Sequence, residues 1–253
     1  PILVVAGDPK RVFLELYFKK LKKFRNNPLL LIANRKLLTD QMKLLNFKIS
    51  VRAINLQKKN FYQGLDNKKI NLIDVSFDYK SLNNIKLKNS NIYIEKCFNL
   101  ATNLLKENKM LNLINGPIIK KDFLKKKHFG ITEYLAKRYN KSDEVVMLIY
   151  NKNLSVSPLT THIPLKNVSK FVSKKKIINH VRQIHRFYKK KFNKNPSFGI
   201  TGLNPHCESN LKFNEEDRII KPAIKFLCKK RYKVSGPFAA DTIFLKENIK
   251  KFD

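Results

Sequence analysis

The chain has 253 residues, of which 43% are hydrophobic, and a formal net charge of +34 at pH 7. This length and composition exclude a disordered chain and allow one large domain or two smaller domains with real cores. No apolar run reaches the length of a membrane span, so we expect no membrane partner. The start lacks the basic segment and cleavage site of a signal peptide, and the three cysteines lack CxxC spacing. We therefore predict reduced thiols and a cytoplasmic protein.

The positive charge is the strongest compositional feature, and its distribution decides what it indicates. Lysines run from Lys10 to Lys251 among many Asn and Ile residues, without an Arg-rich patch, a zinc-finger motif or an RNA-recognition motif. A uniform bias of this kind favours an AT-rich coding sequence over a nucleic-acid-binding face. We expect no specific nucleic-acid partner, and a basic nucleic-acid-binding protein stays a distant alternative. The charge still favours anionic small-molecule substrates.

Apolar runs and helical spacing predict alternating strands and helices. In the first half, the predicted strands are 2–6, 29–33, 47–52, 71–75 and 111–114, and the predicted helices are 11–23, 35–45 and 92–108. This order predicts a layered α/β fold. In the second half, we predict a hairpin of strands 144–150 and 154–160, a basic helix over 170–192, a strand over 197–201 and a helix over 215–230.

Two histidines follow predicted strands of the second half. Asn204-Pro205-His206 comes after the strand over 197–201, and His162 comes after the strand over 154–160. Open α/β sheets place their sites at the carboxyl ends of strands, and imidazole is a common ligand for divalent metals. A single histidine of this kind is more typical of a turn in which the backbone satisfies the ring. Two in one domain predict a shared metal ion.

The remaining candidates near these histidines have less specific signals. Cys207 follows His206 and is interpreted as a small filler residue, with metal ligation as the alternative. His180 and His185 lie within the predicted basic helix and are interpreted as surface residues. No GxGxxG fingerprint is present, so the sequence does not favour a conventional dinucleotide-binding domain.

Six short motifs occur in order along nearly the whole chain. They are Gly7-Asp8-Pro9, Asn115-Gly116-Pro117 followed by Lys120, Thr132–Ala136, Thr160–Leu165, Gly202–His206 and Gly236–Thr242. With these motifs the chain resembles the 4-hydroxythreonine-4-phosphate dehydrogenase family, the NAD-dependent enzymes of vitamin B6 (pyridoxine and pyridoxal phosphate) biosynthesis. Each motif alone is weak, but six in the right order are specific.

The resemblance implies a fold and an assembly. The fold is an α/β layered sandwich like that of isocitrate and isopropylmalate dehydrogenases, with two domains and the active site in the cleft between them. We expect an N-terminal α/β domain over 1–126, completed in the family by C-terminal segments, and a central α/β domain over 127–253 that carries the metal histidines and the dimer interface. The expected assembly is a homodimer.

The resemblance also implies an activity. The family oxidises and decarboxylates 4-phosphooxy-L-threonine (4-hydroxythreonine 4-phosphate) to 3-amino-2-oxopropyl phosphate, with NAD as the oxidant. A divalent metal is implied, and its ligands are compatible with zinc, magnesium, manganese or cobalt. Ile131 stands where the family usually has histidine, which favours as the alternative a related dehydrogenase of another phosphorylated hydroxy acid such as phospho-threonate.

Individual roles follow from the matching positions. His162 and His206 match two of the family's three metal-binding histidines, and Thr132 matches a substrate-binding threonine. The third histidine and the NAD contacts are expected after Asp253, so we interpret the chain as C-terminally truncated and, by itself, a poor catalyst. Lys120 is expected to bind the substrate, with a solvated lysine at a helix start as the alternative.

Asp241 is the expected catalytic residue. The resemblance implies that it approaches the active site from the partner subunit. The sequence itself leaves open a plain turn or N-cap residue before Thr242.

Overall fold

The structure is a computed structural model that describes the chain except for residues 11, 25–26, 59, 108–111, 125–129, 140–144 and 208–213. The chain divides into two compact units, Pro1–Tyr139 and Asn140–Asp253, called here the N-terminal and C-terminal units. The sequence placed the domain boundary after residue 126, and that boundary stays a prediction. The helix that follows it belongs to the N-terminal unit because the ring of Tyr134 packs edge-on against Phe98 and Phe123.

The N-terminal unit is built on a parallel sheet. Its strands are β1 (Ile2–Val5), β2 (Leu29–Ala33), β3 (Val51–Ala53), β4 (Ile70–Asp74) and β5 (Asn112–Asn115), in the order β3-β4-β2-β1-β5. All five residues of β2 are buried, which is typical of a strand covered on both faces by helices. The predicted strands are confirmed, except that β3 begins at Val51 and not at residue 47.

The helices of this unit cover the sheet. They are α1 (Phe13–Lys20), α2 (Arg35–Leu44), α3 (Leu87–Glu107), α4 (Lys120–Phe123) and α5 (Ile131–Arg138). The start of α2 is fixed by Asn34, whose Oδ1 accepts the N–H of Leu37 at 2.9 Å as an N-cap. The apolar stripe of α3 lies on the sheet, with Tyr93, Ile94 and Phe98 almost fully buried.

The C-terminal unit has a smaller parallel sheet with helices beside it. Its elements are α6 (Val168–Phe171), α7 (Lys174–Phe192), β6 (Ser197–Thr201), α8 (Lys221–Lys229), β7 (Lys233–Phe238) and α9 (Lys246–Ile249). β6 pairs in parallel with β7. The core between sheet and helices is Val172, Ile177, Val181, Ile220, Ala223, Ile224, Leu227 and Val234.

The long helices of this unit are interrupted where the sequence predicted continuous ones. The predicted helix over 170–192 is divided because Val172 is extended and Ser173 caps the start of α7, accepting the N–H of Lys176 at 3.3 Å. The predicted helix over 215–230 begins with a π-helical turn, Glu216–Ile220, before α8.

The prediction of a hairpin of two strands over 144–160 is wrong for the described residues, which begin at residue 145. A single antiparallel bridge joins Ile149 and Val156, with N···O distances of 2.8 and 3.0 Å. The ladder does not extend to the next pair, Met147 and Pro158, because Pro158 has no N–H to donate. The carbonyl of Met147 accepts the hydroxyl of Ser157 instead, at 2.7 Å. Among the described residues, we find no helix both long and apolar enough to cross a membrane.

Candidate active site

The turn after β6 places His206 at the carboxyl end of that strand, as predicted. The turn is held by Asn204, whose Oδ1 accepts the N–H of His206 and whose carbonyl accepts the N–H of Cys207, both at 3.0 Å. Short polar side chains that bond to the backbone two residues on are typical of tight turns. The imidazole of His206 is left largely exposed, with 78% of the side chain accessible to solvent.

A second turn brings Asp241 to this histidine. The N–H of Ala240 donates to the carbonyl of Pro205 at 3.0 Å and thereby joins the turn after β7 to the turn after β6. As a result, Nδ1 of His206 lies 3.8 Å from Oδ2 of Asp241. The resemblance implied that Asp241 serves the site of a partner subunit, whereas here its carboxylate faces a histidine of the same chain. The sequence had left open that Asp241 is a plain turn residue or an N-cap. It lies in a turn and does not begin a helix.

Glu216 lies beneath the turn after β6, and the sequence did not predict a role for it. It is 3% exposed, and its Oε1 accepts the N–H groups of Leu203 at 2.7 Å and Asn204 at 2.8 Å. The Asn-Pro-His motif signals Asn204, but no sequence signal joins Glu216 to residues 203 and 204, because the contact depends on how the π-helical turn packs on β6.

His162 is not at the end of a strand, contrary to the prediction. It lies in an irregular loop before the turn Leu165–Asn167, is exposed, and has a left-handed φ of 57°. A non-glycine residue in this region is uncommon. No hydrogen bond or ion pair joins His162 to another residue of the described chain. The shared ion between His162 and His206 therefore stays a prediction.

A divalent metal fits the residues around His206. A metal-binding imidazole usually turns one nitrogen toward a carboxylate, which leaves the other nitrogen free for the ion. His206 has this arrangement, since Nδ1 faces Asp241 and the ring is otherwise exposed. Within the described part of the chain, no three His, Cys, Asp or Glu side chains come together as a complete metal site. The chain therefore offers a partial ligand set.

Two of the sequence motifs meet in the N-terminal unit, at the carboxyl ends of the neighbouring strands β1 and β5. The N–H of Asp8 donates to the carbonyl of Pro117 at 2.9 Å, and the N–H of Gly116 donates to the carbonyl of Val5 at 2.7 Å. The two loops are so close that a Cβ on Gly116 would lie 2.2 Å from the carbonyl oxygen of Ala6. Glycine is therefore required by packing, and the motif marks the sheet edge where ligands of α/β folds bind.

The predicted substrate residues lie in the same unit. Thr132 is a half-buried residue in the first turn of α5, and Ile131 before it packs on the core of the unit. An aliphatic side chain cannot donate a hydrogen bond to a phosphate, so the first turn of α5 offers a hydroxyl and no imidazole. Lys120 begins α4, and its side chain lies outside the described part of the structure.

An apolar cavity of about 410 Å³ lies within the C-terminal unit. Its walls include Leu159, Val181, Ile200 and Ile243, and His180 from α7. Burial lowers the pKa of His180 from 6.5 to about 4, with a smaller effect from Lys176 nearby. The prediction that His180 is a plain surface residue is wrong, because α7 turns it toward this cavity. His185 is also half-buried, edge-on to the ring of Tyr232.

Comparisons with known proteins agree with the motifs. A sequence model of the family described as "Pyridoxal phosphate biosynthetic protein PdxA" matches residues 25–253. The 4-hydroxythreonine-4-phosphate dehydrogenase of Sulfurihydrogenibium sp. (strain YO3AOP1) is 33% identical over 262 residues, which cover 100% of this chain and 77% of that protein. The enzyme of the same name from Aquifex aeolicus (strain VF5) is 30% identical over 247 residues, covering 96% of this chain and 75% of that protein.

The fold agrees as well. The crystal structure of 4-hydroxythreonine-4-phosphate dehydrogenase from Klebsiella pneumoniae matches 100% of this chain and 77% of its own chain, with a TM-score of 0.80 and 22% sequence identity. The predicted isocitrate/isopropylmalate dehydrogenase-like α/β fold is confirmed by this likeness.

Proposed function

This chain belongs to the PdxA family of pyridoxal phosphate biosynthetic proteins, and we propose that it oxidises and decarboxylates 4-phosphooxy-L-threonine with NAD. It is an oxidoreductase of the dehydrogenase type, and such enzymes use a nicotinamide cofactor. The products of the proposed reaction are 3-amino-2-oxopropyl phosphate, CO2 and NADH. The structural observation that carries the proposal is the exposed imidazole of His206 turned toward Asp241.

His206 and Asp241 are assigned to the reacting end of the substrate. The carboxylate of Asp241 favours the tautomer that carries its proton on Nδ1 of His206, so that Nε2 presents a lone pair. His206 and His162 would hold the divalent metal, with zinc, magnesium, manganese and cobalt all compatible with such ligands. When bound, the ion would act as a Lewis acid toward the substrate oxygen that is oxidised.

The phosphate end of the substrate is assigned to the N-terminal unit. The hydroxyl of Thr132 lies in the first turn of α5, and the start of a helix favours an anion through the helix dipole. Lys120 would add a positive charge from the start of α4. The net charge of +34 supports an anionic substrate, because a basic surface attracts it over long distances.

A homodimer is part of the proposal. The chain around the antiparallel bridge between Ile149 and Val156 exposes large apolar side chains. Met147 is 42% exposed and Ile149 is 55% exposed. An apolar surface of this kind favours contact with a second copy of the chain. Light scattering at assay concentration tests this, and a fully active monomer would contradict it. The cytoplasmic location stays a prediction.

The activity is tested by incubating the purified chain with 4-phosphooxy-L-threonine, NAD and each of the four metals. We expect NADH and CO2 to form in equal amounts, since one hydride and one carboxylate leave each substrate molecule. NADH without CO2 would contradict the decarboxylation, and a failure of the chain to bind the substrate with any of the metals would contradict the assignment.

A second substrate, a phosphorylated threonate, is favoured by Ile131. Its aliphatic side chain packs on the core and offers no hydrogen bond at a position where the family has histidine. We therefore expect Ile131→His to raise kcat/KM for 4-phosphooxy-L-threonine more than for phospho-threonate. An equal effect on both substrates would remove Ile131 as a determinant of specificity.

A further inference from the structure

Glu216 has a buried carboxyl group, and the nearby Lys221 forms its ion pair with Asp217 instead. Glu216 is 3% exposed, and no ion pair joins it to a described lysine, arginine or histidine. Its Oε1 instead accepts the N–H groups of Leu203 and Asn204 at 2.7 and 2.8 Å. Hydrogen bonds to a charged acceptor are roughly twice as strong as neutral ones, so this pair holds the turn firmly.

The packing around Gly202 shows how closely the turn is fitted to this carboxylate. A Cβ on Gly202 would lie 3.0 Å from Oε1 of Glu216 and 2.5 Å from Sγ of Cys207. A side chain at this position would meet the sulfur of Cys207 first and would also crowd the carboxylate and the carbonyl of Asn204, which lies equally close. The glycine of the Gly202–His206 motif is therefore explained by the close approach of Cys207, with Glu216 and Asn204 packed nearly as tightly.

Hydrogen bonds along the turn after β6 link Glu216 to Ala240, the residue before Asp241. Asn204, whose N–H is bound by Glu216, fixes the backbone of His206 through its own Oδ1 at 3.0 Å. The next residue of the turn, Pro205, accepts the N–H of Ala240 at 3.0 Å. The direction of the His206 ring relative to Asp241 thus depends on where Glu216 places the turn.

The local helix geometry is consistent with this role. Glu216 is the first residue of the π-helical turn Glu216–Ile220, and π-helical turns are rare and are frequent at functional sites. The start of this turn is fixed by Asn214, whose Oδ1 accepts the N–H of Asp217 at 2.7 Å. Glu215 next to it is half-buried, and no hydrogen bond or ion pair joins it to another described residue.

We propose that Glu216 is a positioning residue, whose buried carboxylate fixes the turn after β6 and thereby orients His206 toward Asp241. Glu216 itself touches neither substrate nor metal in this role. The inference rests on the proposed metal-binding function of His206, and it goes beyond that function by naming the residue that sets the geometry.

The experiment compares Glu216→Ala with Glu216→Gln in the full chain. The amide oxygen of glutamine still accepts both N–H groups without a charge, whereas alanine accepts neither. Glu215→Ala is the neighbouring control. Leu227→Ala is the control for stability, because Leu227 is fully buried in the core of the same unit.

Three quantities are measured for each variant: amide exchange at Leu203 and Asn204, cobalt affinity by titration, and the midpoint of thermal unfolding. We expect Glu216→Ala to lose exchange protection at both amides and to lower cobalt affinity about 10–100-fold, the usual effect of removing a supporting residue of a metal site. Glu216→Gln should restore the protection and most of the affinity. Leu227→Ala should lower the unfolding midpoint while leaving cobalt affinity unchanged, and Glu215→Ala should change none of the three.

Two results would overturn the proposal. One is a Glu216→Ala variant with protected amides or with the cobalt affinity of the unmodified chain. The other is a Leu227→Ala variant that loses as much affinity as Glu216→Ala, which would reduce Glu216 to a stabilising role. If the unmodified chain binds no cobalt, the metal part of the proposed function fails. The positioning role is then decided by the NMR shifts of the His206 ring, which must change in Glu216→Ala and return in Glu216→Gln.

Discussion

Nδ1 of His206 lies 3.8 Å from Oδ2 of Asp241, although the two residues come from the ends of different strands. The side chain of His206 is largely exposed and that of Asp241 about half exposed, so their attraction contributes little to stability. In the proposed site, its effect is to orient the ring. We expect Asp241→Asn to lower cobalt affinity roughly tenfold, because a neutral amide no longer favours the same tautomer, and to leave thermal unfolding unchanged.

The control for this change is Glu247→Gln, which removes an exposed carboxylate from α9 in the same unit. It alters the net charge equally but should leave cobalt affinity as it is. A similar loss in both variants would show that the metal responds to overall charge and not to the orientation of His206.

The shared ion predicts a specific pattern for His162→Ala and His206→Ala. If both imidazoles bind one ion, each single substitution should lower the affinity for the metal about tenfold or more. The double variant should then bind the metal only slightly more weakly than whichever single variant binds it less tightly. Isothermal titration with zinc or cobalt measures all three. His185→Ala should bind normally, since that ring contacts Tyr232. Strictly additive losses would mean that the two histidines bind separate ions.

The close contact between the loops that follow β1 and β5 can be tested by comparing alanine substitutions at two glycines. In Gly116→Ala the new Cβ would lie 2.2 Å from a backbone oxygen, whereas Gly64→Ala meets nothing within 4 Å but has a left-handed φ of 65°. We expect Gly116→Ala to lower the free energy of unfolding by about 3 kcal/mol or more. Gly64→Ala should cost about 1 kcal/mol from its backbone alone. Urea unfolding measures both, and equal costs would contradict the packing argument.

From the lowered pKa of His180, we expect the folded chain to lose stability in mild acid. Its pKa is lowered from 6.5 to about 4 in the folded chain, so between these values the unfolded state binds a proton that the folded state does not. The free energy of unfolding must then fall as the pH falls from about 6.5 towards 4. Allowing for the exposed part of the ring, the effect is ~1–2 kcal/mol.

Chemical unfolding across this pH range isolates the effect when His180→Gln is compared with the unmodified chain. The variant should show a shallower dependence on pH, and His185→Gln should keep the original slope. Parallel curves for all three proteins would mean that His180 is not protected from protonation by burial.

The sequence predicted the strands that are apolar along their whole length. β1 and β2 lie where continuous apolar runs place them, because buried parallel strands need such residues on both faces. β6 is half-buried and was predicted from a short β-prone run after Asn195-Pro196. The turn after β6 was predicted because Asn-Pro combinations favour turns, and with it the position of His206. The prediction failed for the hairpin over 144–160, where Pro158 cannot donate to the ladder and the hydroxyl of Ser157 bonds to the carbonyl of Met147. The apolar runs on both sides of the turn favoured two strands in spite of this proline.

The sequence predicted several residues of the site but not the hydrogen bonds and contacts that join them. The motifs named His206 and Asp241, yet nothing in the sequence shows that both turns belong to one hydrogen-bonded group. Glu216 lay inside a predicted regular helix, and only its π-helical geometry and burial reveal its contacts. The left-handed backbone of His162 was not predicted either. Histidine is enriched among the non-glycine residues that adopt this conformation, but the residue type alone does not show which histidine does so.

The order of strands in the N-terminal unit bears on how the chain folds during synthesis. β1 is made before the other strands of this sheet, yet it lies between β2 and β5, and Ile2 pairs with both Leu29 and Asn112. One side of the first strand therefore lacks its partner until more than a hundred later residues have been made. Contacts of such separation slow folding, and an unpaired strand edge invites association with other chains. Nascent chains that end before β5 should be the ones that a chaperone holds longest.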